Sequence, residues 1–199
     1  MLEFPAEDHW KLPRAARDYI TAGEADKIHV GYKCRIRKRW YVIPSIYVPT
    51  GFLLRQVHHY PKLVVNEAKA TCTDTIHRVR FKNGESPHKV AAAFLNSLTF
   101  AFSELLGRSY GGGVLELEPN EADKLPVPLL GAHRLDPGGI DLLLRAGQIG
   151  SVLDRNDKVL LQDGIGLSSR QVSTLRGIWN KLRLRRIQRR RGAMTAKVC

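Results

Sequence analysis

The chain has 199 residues, with 32 Lys or Arg and 19 Asp or Glu side chains, so its formal charge at pH 7 is +13. Hydrophobic residues make up 43% of it and charged residues 26%, which excludes an intrinsically disordered chain and is typical of a globular protein. No apolar run approaches the roughly 18 residues of a membrane span, which excludes a transmembrane helix.

The first part of the chain predicts a short lead-in followed by a β-rich segment. A helix is predicted within residues 12–22. From residue 29 to residue 81, Val, Ile, Tyr, Thr and Phe are frequent and prolines interrupt them, a pattern that favours short strands. Asn83-Gly84 predicts a turn that closes this segment. The predicted strands cover residues 29–35, 40–47, 51–57, 62–66, 69–73 and 76–81.

Helices predominate in the remainder of the chain. Ser86 as N-cap and Pro87 at the first helical position predict the start of a buried helix, which Gly107 is expected to end. Glycines 111–113 separate this helix from a predicted strand over residues 114–117. A nucleotide-binding glycine loop follows a strand and opens a helix, so the observed order predicts a turn or a close backbone approach instead.

Two more helices complete the prediction, one from Asp136-Pro137 to about Ala146 and one over about residues 168–191. In the last helix, apolar residues and arginines occupy different stripes. One face is therefore predicted to pack on the protein and another to be solvated or to contact phosphate. The arginine stripe comprises Arg176, Arg183, Arg186 and Arg190. The expected fold class is α+β, with a β-rich subdomain over about residues 29–81, then helices, and a basic C-terminal helix.

Two segments carry all of the excess positive charge. Residues 1–26 have a net charge of −3 and residues 63–163 one of −2. Residues 27–62 have a net charge of +8 and residues 164–199 one of +10, without an acidic side chain in either segment. Such segregation indicates contact with a polyanion, most simply nucleic acid. A solvated basic helix and a basic sheet edge are the structural alternative.

The first basic segment combines cations with planar side chains. Arg35, Arg37 and Arg39 share one face of a predicted strand, and Trp40 and Tyr41 follow directly. Cations attract phosphate and guanine edges, whereas planar groups stack on bases. Trp40 itself is predicted to lie in the core, because a tryptophan is more often buried than exposed.

The sequence contains little that indicates independent catalysis. It has neither a P-loop nor a nucleophile elbow. Glu67-Ala68-Lys69 is similar to half of a Mg-dependent nuclease motif, but no upstream Asp lies between Asp26 and Glu67 to complete a metal site. The three cysteines show no CxxC spacing, which argues against a disulfide framework or a cysteine zinc site and favours a reducing cytoplasm.

A series of short motifs occurs in a fixed order between about residues 12 and 130. The motifs are Tyr32-Lys33-Cys34-Arg35-x-Arg37-x-x-Trp40-Tyr41-x-x-Pro44, Asn66 with Thr73-Asp74-Thr75-x-His77-Arg78-Val79, Leu95-Asn96-Ser97, Glu104-Leu105-x-Gly107-Arg108-x-x-Gly111-Gly112-Gly113-Val114-Leu115-x-Leu117, and Glu121-x-x-x-Leu125-Pro126-Val127-Pro128. Together they resemble the C-terminal target-recognition region of adenine-specific DNA methyltransferases, of the TaqI-like kind found in restriction–modification systems.

This resemblance implies a DNA target-recognition domain over residues 27–135, between a lead-in over residues 1–26 and a helical tail with a basic end over residues 136–199. In that family a separate catalytic domain binds S-adenosylmethionine and the flipped adenine. That domain carries a glycine-containing donor loop and an Asn/Asp-Pro-Pro-aromatic loop. Neither occurs in this sequence, so we expect no catalytic residue, no metal and no cofactor in this chain. The implied partners are double-stranded DNA and a catalytic methyltransferase domain or subunit, in a bacterial or archaeal cytoplasm.

The resemblance and the charge pattern together nominate a set of DNA-binding residues. Basic residues are expected to approach the duplex, planar and polar ones to read base edges, and residues 108–110 to contact phosphate. The nominated residues are Arg35, Arg37, Lys38, Arg39, Tyr41, Arg55, His58, His59, Asn66, Thr73, Asp74, His77, Arg108, Ser109 and Tyr110. Two alternatives stay open, a stand-alone RNA- or DNA-binding module and a Mg-dependent nuclease.

Overall fold

The computed structural model describes residues 3–44, 46–82, 84 and 86–195, with side chains described up to residue 188. The chain divides into an N-terminal unit, Met1–Tyr47, and a C-terminal unit, Val48–Cys199. The mixture of helices with two small sheets confirms the predicted α+β class. The functional boundaries after residues 26 and 135 stay predictions.

The N-terminal unit is helical where it is ordered into regular elements. Helix α1 covers Arg14–Ala25, and the short helix α2 covers Tyr32–Arg35. Two 3-10 turns, His9–Lys11 and Ile28–Val30, precede them. Lys27 adopts left-handed backbone angles (φ 59°) and turns the chain at the end of α1.

The strands predicted over residues 29–35 and 40–47 are wrong. These residues form a 3-10 turn, α2 and a series of bends, because Trp40 packs across α1 instead of facing a partner strand. The Trp40 ring can lie this close to α1 because residue 23 is glycine: an added Cβ there would lie 2.6 Å from Trp40 Cη2. Strand propensity depends on cross-strand packing, and this segment has helix α1 as its neighbour. Consequently Arg35, Arg37 and Arg39 do not share a strand face.

The C-terminal unit contains two three-stranded antiparallel sheets. The first has the order β3-β1-β4, formed by Leu63–Val65, Gly51–Leu54 and Ile76–Val79. The second has the order β2-β6-β5, formed by Gln56–Val57, Val114–Glu116 and Arg108–Tyr110. The predicted strand over 51–57 is therefore divided by a bend at Arg55 into β1 and β2, which belong to different sheets.

Residues 69–73, predicted as a strand, form none. Asn66 donates through Nδ2 to the carbonyl of Ala70 and accepts the Ala70 N–H, which closes a turn directly after β3. Lys69 has left-handed angles (φ 49°) that an extended strand excludes. The predicted strands over residues 62–66 and 76–81 are confirmed in shortened form as β3 and β4. Asn83, of the predicted Asn83-Gly84 turn, lies outside the described residues.

The predicted helix after Ser86 consists of two helices, α3 (Pro87–Ala93) and α4 (Ser97–Leu106). Asn96 separates them with extended backbone, and its side chain accepts the Thr99 N–H as the N-cap of α4. Gly107 follows α4 with extended angles (φ −74°), so it ends the helix without the left-handed conformation that the sequence suggested.

Further helices follow α4 along the chain. They are α5 (Pro119–Ala122), α6 (Pro137–Arg145), α7 (Ile149–Asn156), which continues as a π-helical turn over Asp157–Gln162, and α8 (Ser169–Thr195). Helix α7 was not predicted from the sequence, whereas α6 and α8 confirm their predictions. Helix α8 packs along α4, and the buried core between the helices includes Phe100, Val152, Leu160 and Trp179.

The helices α3 and α4 are apolar because many of their side chains belong to this helical core. Across the described residues, no single helix is long and apolar enough to cross a membrane. Helices α3 and α4 reach that apolarity only as a pair bent by 71°, by length and composition. Their side chains Ala92, Ala93, Phe100 and Ala101 are buried in the helical core.

Candidate nucleic-acid interface

A concave surface of about 690 Å³ lies in the N-terminal unit, and we call it the basic groove. Apolar side chains contribute most of its surface, and cationic side chains stand among them. Its lining residues are Ala6, Tyr32, Lys33, Ile36, Arg37, Lys38, Arg39, Val42 and Pro44. Three of the nominated residues, Arg37, Lys38 and Arg39, therefore meet at one surface even though they lie in turns and not on a strand.

Arg39 holds the lead-in against this groove. Its Nε and Nη2 donate to Oδ1 of Asp8 at 3.0 and 2.6 Å. The hydrogen bond from Arg39 lowers the pKa of the Asp8 carboxyl, against a smaller effect of burial. Tyr41 donates its hydroxyl to the carbonyl of Glu7 at 2.7 Å. Arg39 and Tyr41 thus have a demonstrable structural role in positioning residues 7 and 8.

Other cations of the groove region remain available. Lys33, Arg35 and Lys38 are exposed, and within the described part of the chain their side chains form no ion pair. Arg37 donates to the carbonyl of Trp40 at 3.4 Å, which leaves most of its guanidinium donors open. An apolar concavity bordered by unpaired cations fits a ligand that combines planar rings with negative charge.

Two nominated arginines of the C-terminal unit are paired with carboxylates. Arg55 contacts Glu116 at 2.8 Å and Glu118 at 2.6 Å, and Arg108 contacts Glu121 at 2.8 Å. The carboxylates belong to β6 and to the capping box of α5, so these pairs order the connection between the second sheet and that helix. Arg108 keeps 58% of its side chain exposed and can still present one side to a ligand.

Nominated polar residues near β4 divide into internal and exposed ones. Asn66 is fully occupied by the turn after β3, and His77 shares a hydrogen bond of 2.6 Å with the carbonyl of Leu117. These two residues connect strands and loops within the fold. Thr73 and Asp74 are exposed in the segment that leads into β4, where the hydroxyls of Thr73 and Thr75 share a hydrogen bond of 3.0 Å.

The histidine pair after β2 lies beside the glycine turn. The rings of His58 and His59 are 4.7 Å apart, and His58 Nδ1 lies 3.0 Å from the carbonyl oxygen of Gly113. Gly113 has φ 75°, and its Cα side faces the backbone of Ile187 in α8, where an added Cβ would be 3.2 Å away. The predicted close backbone approach at the three glycines is confirmed. Burial lowers the pKa of His59, and neighbouring positive charge lowers it further.

Ser109 and Tyr110 lie on β5, the strand that begins at Arg108. Both side chains are exposed, and Ser109 is paired in register with Leu115 of β6. Strand β5 pairs with β6 on one side only in the described sheet order. Its exposed side chains are therefore placed for contact, although Arg108 pairs with Glu121 and interacts with Tyr110.

Arg186 differs most from its predicted role on an exposed arginine stripe. It is 3% exposed and donates to Glu104 from Nε at 3.0 Å and from Nη2 at 2.6 Å. Its Nη1 donates to the carbonyls of His58, at 2.9 Å, and of Gly113. The apolar face of α8 includes Trp179. The spacing of residues along one helix does not indicate the distant carboxylate that pairs with a buried arginine.

Arg176 of the same stripe also has an internal role. It forms ion pairs with Asp154 and, at 3.0 Å, with Asp157. The Asp157 carboxylate accepts the N–H of Ser97 at 2.8 Å and its hydroxyl at 2.6 Å, at the first turn of α4. Burial raises the pKa of Asp157, although the hydrogen bonds of Ser97 and the charge of Arg176 act in the opposite direction. Arg190 lies outside the described side chains.

No metal centre is indicated among the described residues. They contain no group of three or more His, Cys, Asp or Glu side chains in a metal-binding arrangement. Glu67, the acidic residue of the nuclease-like segment, is paired with Nε2 of His88 at 2.8 Å and lies after the end of β3.

The comparison with known families decides the relationship of the chain. A family model for the C-terminal domain of the type II methyltransferase M.Eco57I matches residues 1–161. The chain belongs to this family. The resemblance inferred from motifs over residues 12–130 is therefore confirmed, and the match includes the basic groove, both sheets and the glycine turn. No curated protein and no solved structure matches the chain. Helix α8 lies beyond the matched part of this M.Eco57I-type domain.

Proposed function

We propose that this M.Eco57I-type domain binds duplex DNA and positions it for adenine methylation by a separate catalytic domain or subunit. Family membership supports a role alongside a methyltransferase. The observation that carries DNA binding is the basic groove, an apolar concavity whose cations Lys33 and Lys38 have no ion-pair partner among the described residues. Target recognition requires contacts that place a duplex in register, and phosphate contacts supply most of that placement.

The groove divides into two chemical parts that suit DNA. Lys33 and Lys38 of the groove, with Arg35 of α2 beside it in sequence, would neutralise backbone phosphates, and each such contact releases a condensed counterion. Tyr32 and Ile36 offer exposed apolar surface, with 70% and 64% of each residue accessible. Planar and aliphatic groups of this kind pack on sugars and base faces. Base reading is assigned to exposed residues, including Thr73, and not to those occupied by the fold.

Catalytic chemistry is assigned to the partner. S-adenosylmethionine and the extruded adenine would be bound by the catalytic domain, which this M.Eco57I-type domain would orient on its target. The pair would act in a restriction–modification system in a bacterial or archaeal cytoplasm. A domain of this kind contributes binding energy and register, and the reaction itself takes place in the partner.

A salt titration with labelled DNA tests the proposal. Fluorescence anisotropy of a duplex of random sequence would be measured for the wild type, for the double variant Lys33→Gln/Lys38→Gln, and for Lys124→Gln. Lys124 is an exposed lysine in the acidic part of the chain, and its variant is the control for loss of a positive charge outside the groove. The groove variant should bind more weakly and lose about 0.9 from the salt slope for each phosphate contact removed, whereas the control should retain the wild-type slope.

Four results would contradict parts of the proposal. Failure of the wild type to bind duplex DNA would remove DNA recognition. A preference for single-stranded RNA over the duplex would identify a stand-alone RNA-binding module instead. Methyl transfer from labelled S-adenosylmethionine by the pure chain, or Mg-dependent nicking that Glu67→Gln abolishes, would place chemistry in this chain.

A further inference from the structure

The two acid-free segments of the sequence meet inside the C-terminal unit. Residues 58–62 end the first segment, and α8 lies in the second. Arg186 of α8 joins them, because its Nη1 donates to the carbonyl of His58 at 2.9 Å while Glu104 accepts from its other nitrogens. Two stretches separated by about a hundred residues of mildly acidic chain thus combine their positive charge at one place.

An aromatic stack fixes two of the cations at this place. Tyr60 stacks on Phe100 with ring centroids 5.4 Å apart, and Phe100 lies 5.1 Å from Trp179. Lys62 lies over the outer ring, with Nζ 5.1 Å from the Tyr60 centroid. Arg183 lies over the other end, with its guanidinium carbon 4.7 Å from the Trp179 ring. Cation–π contact restrains both side chains, and no carboxylate of the described residues pairs with either charge.

His59 lies within the electrostatic reach of both cations. Beside the larger effect of burial, the positive charges of Arg183, Arg186 and Lys62, and His58 in its protonated form, lower the pKa of the His59 imidazole. Glu104 is the carboxylate that enters this region, and both of its oxygens are occupied by Arg186. His59 and Lys62 are exposed, and Arg183 is half-buried. The site is a small cationic surface with open donors and no anion to satisfy them among the described residues.

We propose that His59, Lys62 and Arg183, here called the His59 cluster, bind neighbouring backbone phosphates of duplex DNA. The inference rests on the proposed function and extends it to α8, which lies outside the part of the chain that the family model matches. Phosphates at Lys62 and at Arg183 each meet a positive charge that an aromatic ring restrains, and His59 adds an imidazole donor. The buried pair of Arg186 with Glu104 holds α8 in place for this contact.

The cluster links DNA binding to proton uptake. The free protein disfavours the imidazolium form of His59, because burial and neighbouring cations both lower its pKa. A bound phosphate compensates those cations and favours the imidazolium. Affinity for DNA should therefore increase as the pH falls from about 8 towards 5.5, and His59→Gln should flatten that dependence.

Charge-removing variants test the site. Lys62→Gln and Arg183→Gln should each weaken duplex binding by about threefold or more for all sequences, and each should reduce the salt slope by about 0.9. Lys124→Gln is the control and should match the wild type. Thermal unfolding checks that each variant is folded. If Arg183→Gln does not fold, the binding of Lys62→Gln decides the test.

An NMR titration of the His59 imidazole gives an independent readout. Its protonation midpoint should rise when a short duplex is added to the full chain, and Lys62→Gln should reduce that rise. Two results would overturn this site and leave the proposed function intact. One is that the wild type binds the duplex and the cluster variants bind it as well as Lys124→Gln does; the other is that the protonation midpoint of His59 does not change when the duplex is added. Absence of duplex binding by the wild type would overturn both, and preferential displacement of the duplex by single-stranded RNA would overturn the duplex assignment.

Discussion

Arg186 donates to both carboxylate oxygens of Glu104, at 3.0 Å to Oε2 and 2.6 Å to Oε1, with each side chain 3% exposed. The pair joins α8 to α4 across 82 positions of sequence. Planar, two-pronged pairing of this kind fixes orientation as well as distance. It also places a carbonyl-binding nitrogen of Arg186 beside His58, so this contact contributes both to the packing of α8 and to the geometry of the His59 cluster.

Removing one member of this pair should be strongly destabilising. Glu104→Ala would leave a buried guanidinium without its carboxylate and should lower the free energy of unfolding by about 3–5 kcal/mol. The double variant Glu104→Leu/Arg186→Met replaces both charges with apolar groups and should lose less. Urea denaturation measures both, and a double variant at least as unstable as Glu104→Ala would contradict the account.

The glycine turn offers a graded test of backbone strain. Gly111 has ordinary angles and open space, Gly112 has φ 78° with open space, and Gly113 has φ 75° with Ile187 Cα 3.2 Å from an added Cβ. Gly111→Ala should be nearly neutral, Gly112→Ala should cost about 1–2 kcal/mol, and Gly113→Ala should cost more. Thermal or urea unfolding gives the order, and equal effects at positions 111 and 113 would argue against close packing with α8.

Ser97 should contribute to stability through the buried carboxylate of Asp157. Ser97→Ala removes a hydroxyl that donates to Oδ2 at 2.6 Å and should cost about 1–3 kcal/mol. Ser103→Ala is a matched control, because this serine is also buried in α4 but donates only to the carbonyl of Phe100 in its own helix. An effect of equal size at both positions would show that the carboxylate contact adds nothing.

Glu121, in the capping box of α5, should make a pH-dependent contribution to the free energy of unfolding. The backbone N–H of Glu118 and then the guanidinium of Arg108 lower the pKa of Glu121 below its ordinary value of 4.5. A lowered pKa contributes stability above the unfolded value, and that contribution is lost as the pH falls through the folded value. Glu121→Gln should therefore be less stable than the wild type at pH 7, with a gap that narrows below about pH 4.5. A constant gap from pH 7 to pH 3 would contradict this origin.

Local sequence signals predicted the elements whose structure is set locally. The Ser86-Pro87 start, the helix after Asp136, the long α8 and the shortened strands β1, β3 and β4 all follow from caps, prolines and alternation. The strands predicted for the first basic segment were wrong because its conformation depends on Gly23, 17 positions before Trp40. The missing side chain of Gly23 leaves room for the indole. No strand-propensity argument includes that distant glycine.

Prediction of the candidate sites was limited in the same way. Charge counts identified both basic segments, but they did not separate cations paired by the fold, such as Arg39, Arg55 and Arg186, from open ones such as Lys38. That separation depends on carboxylates at sequence distances of 31, 63 and 82 positions. Histidines 58 and 59 were nominated without their essential neighbour, because α8 approaches them only in three dimensions.

The most direct test of DNA target recognition is selection of bound sequences from a library of randomised duplexes. We predict that the pure chain enriches one short duplex motif, and that Lys33→Gln/Lys38→Gln enriches the same motif with lower recovery at equal salt. The loss of phosphate contacts weakens binding without changing what is read. Recovery of all duplex sequences in equal proportion, at a salt concentration where the wild type still binds, would contradict target recognition by this domain.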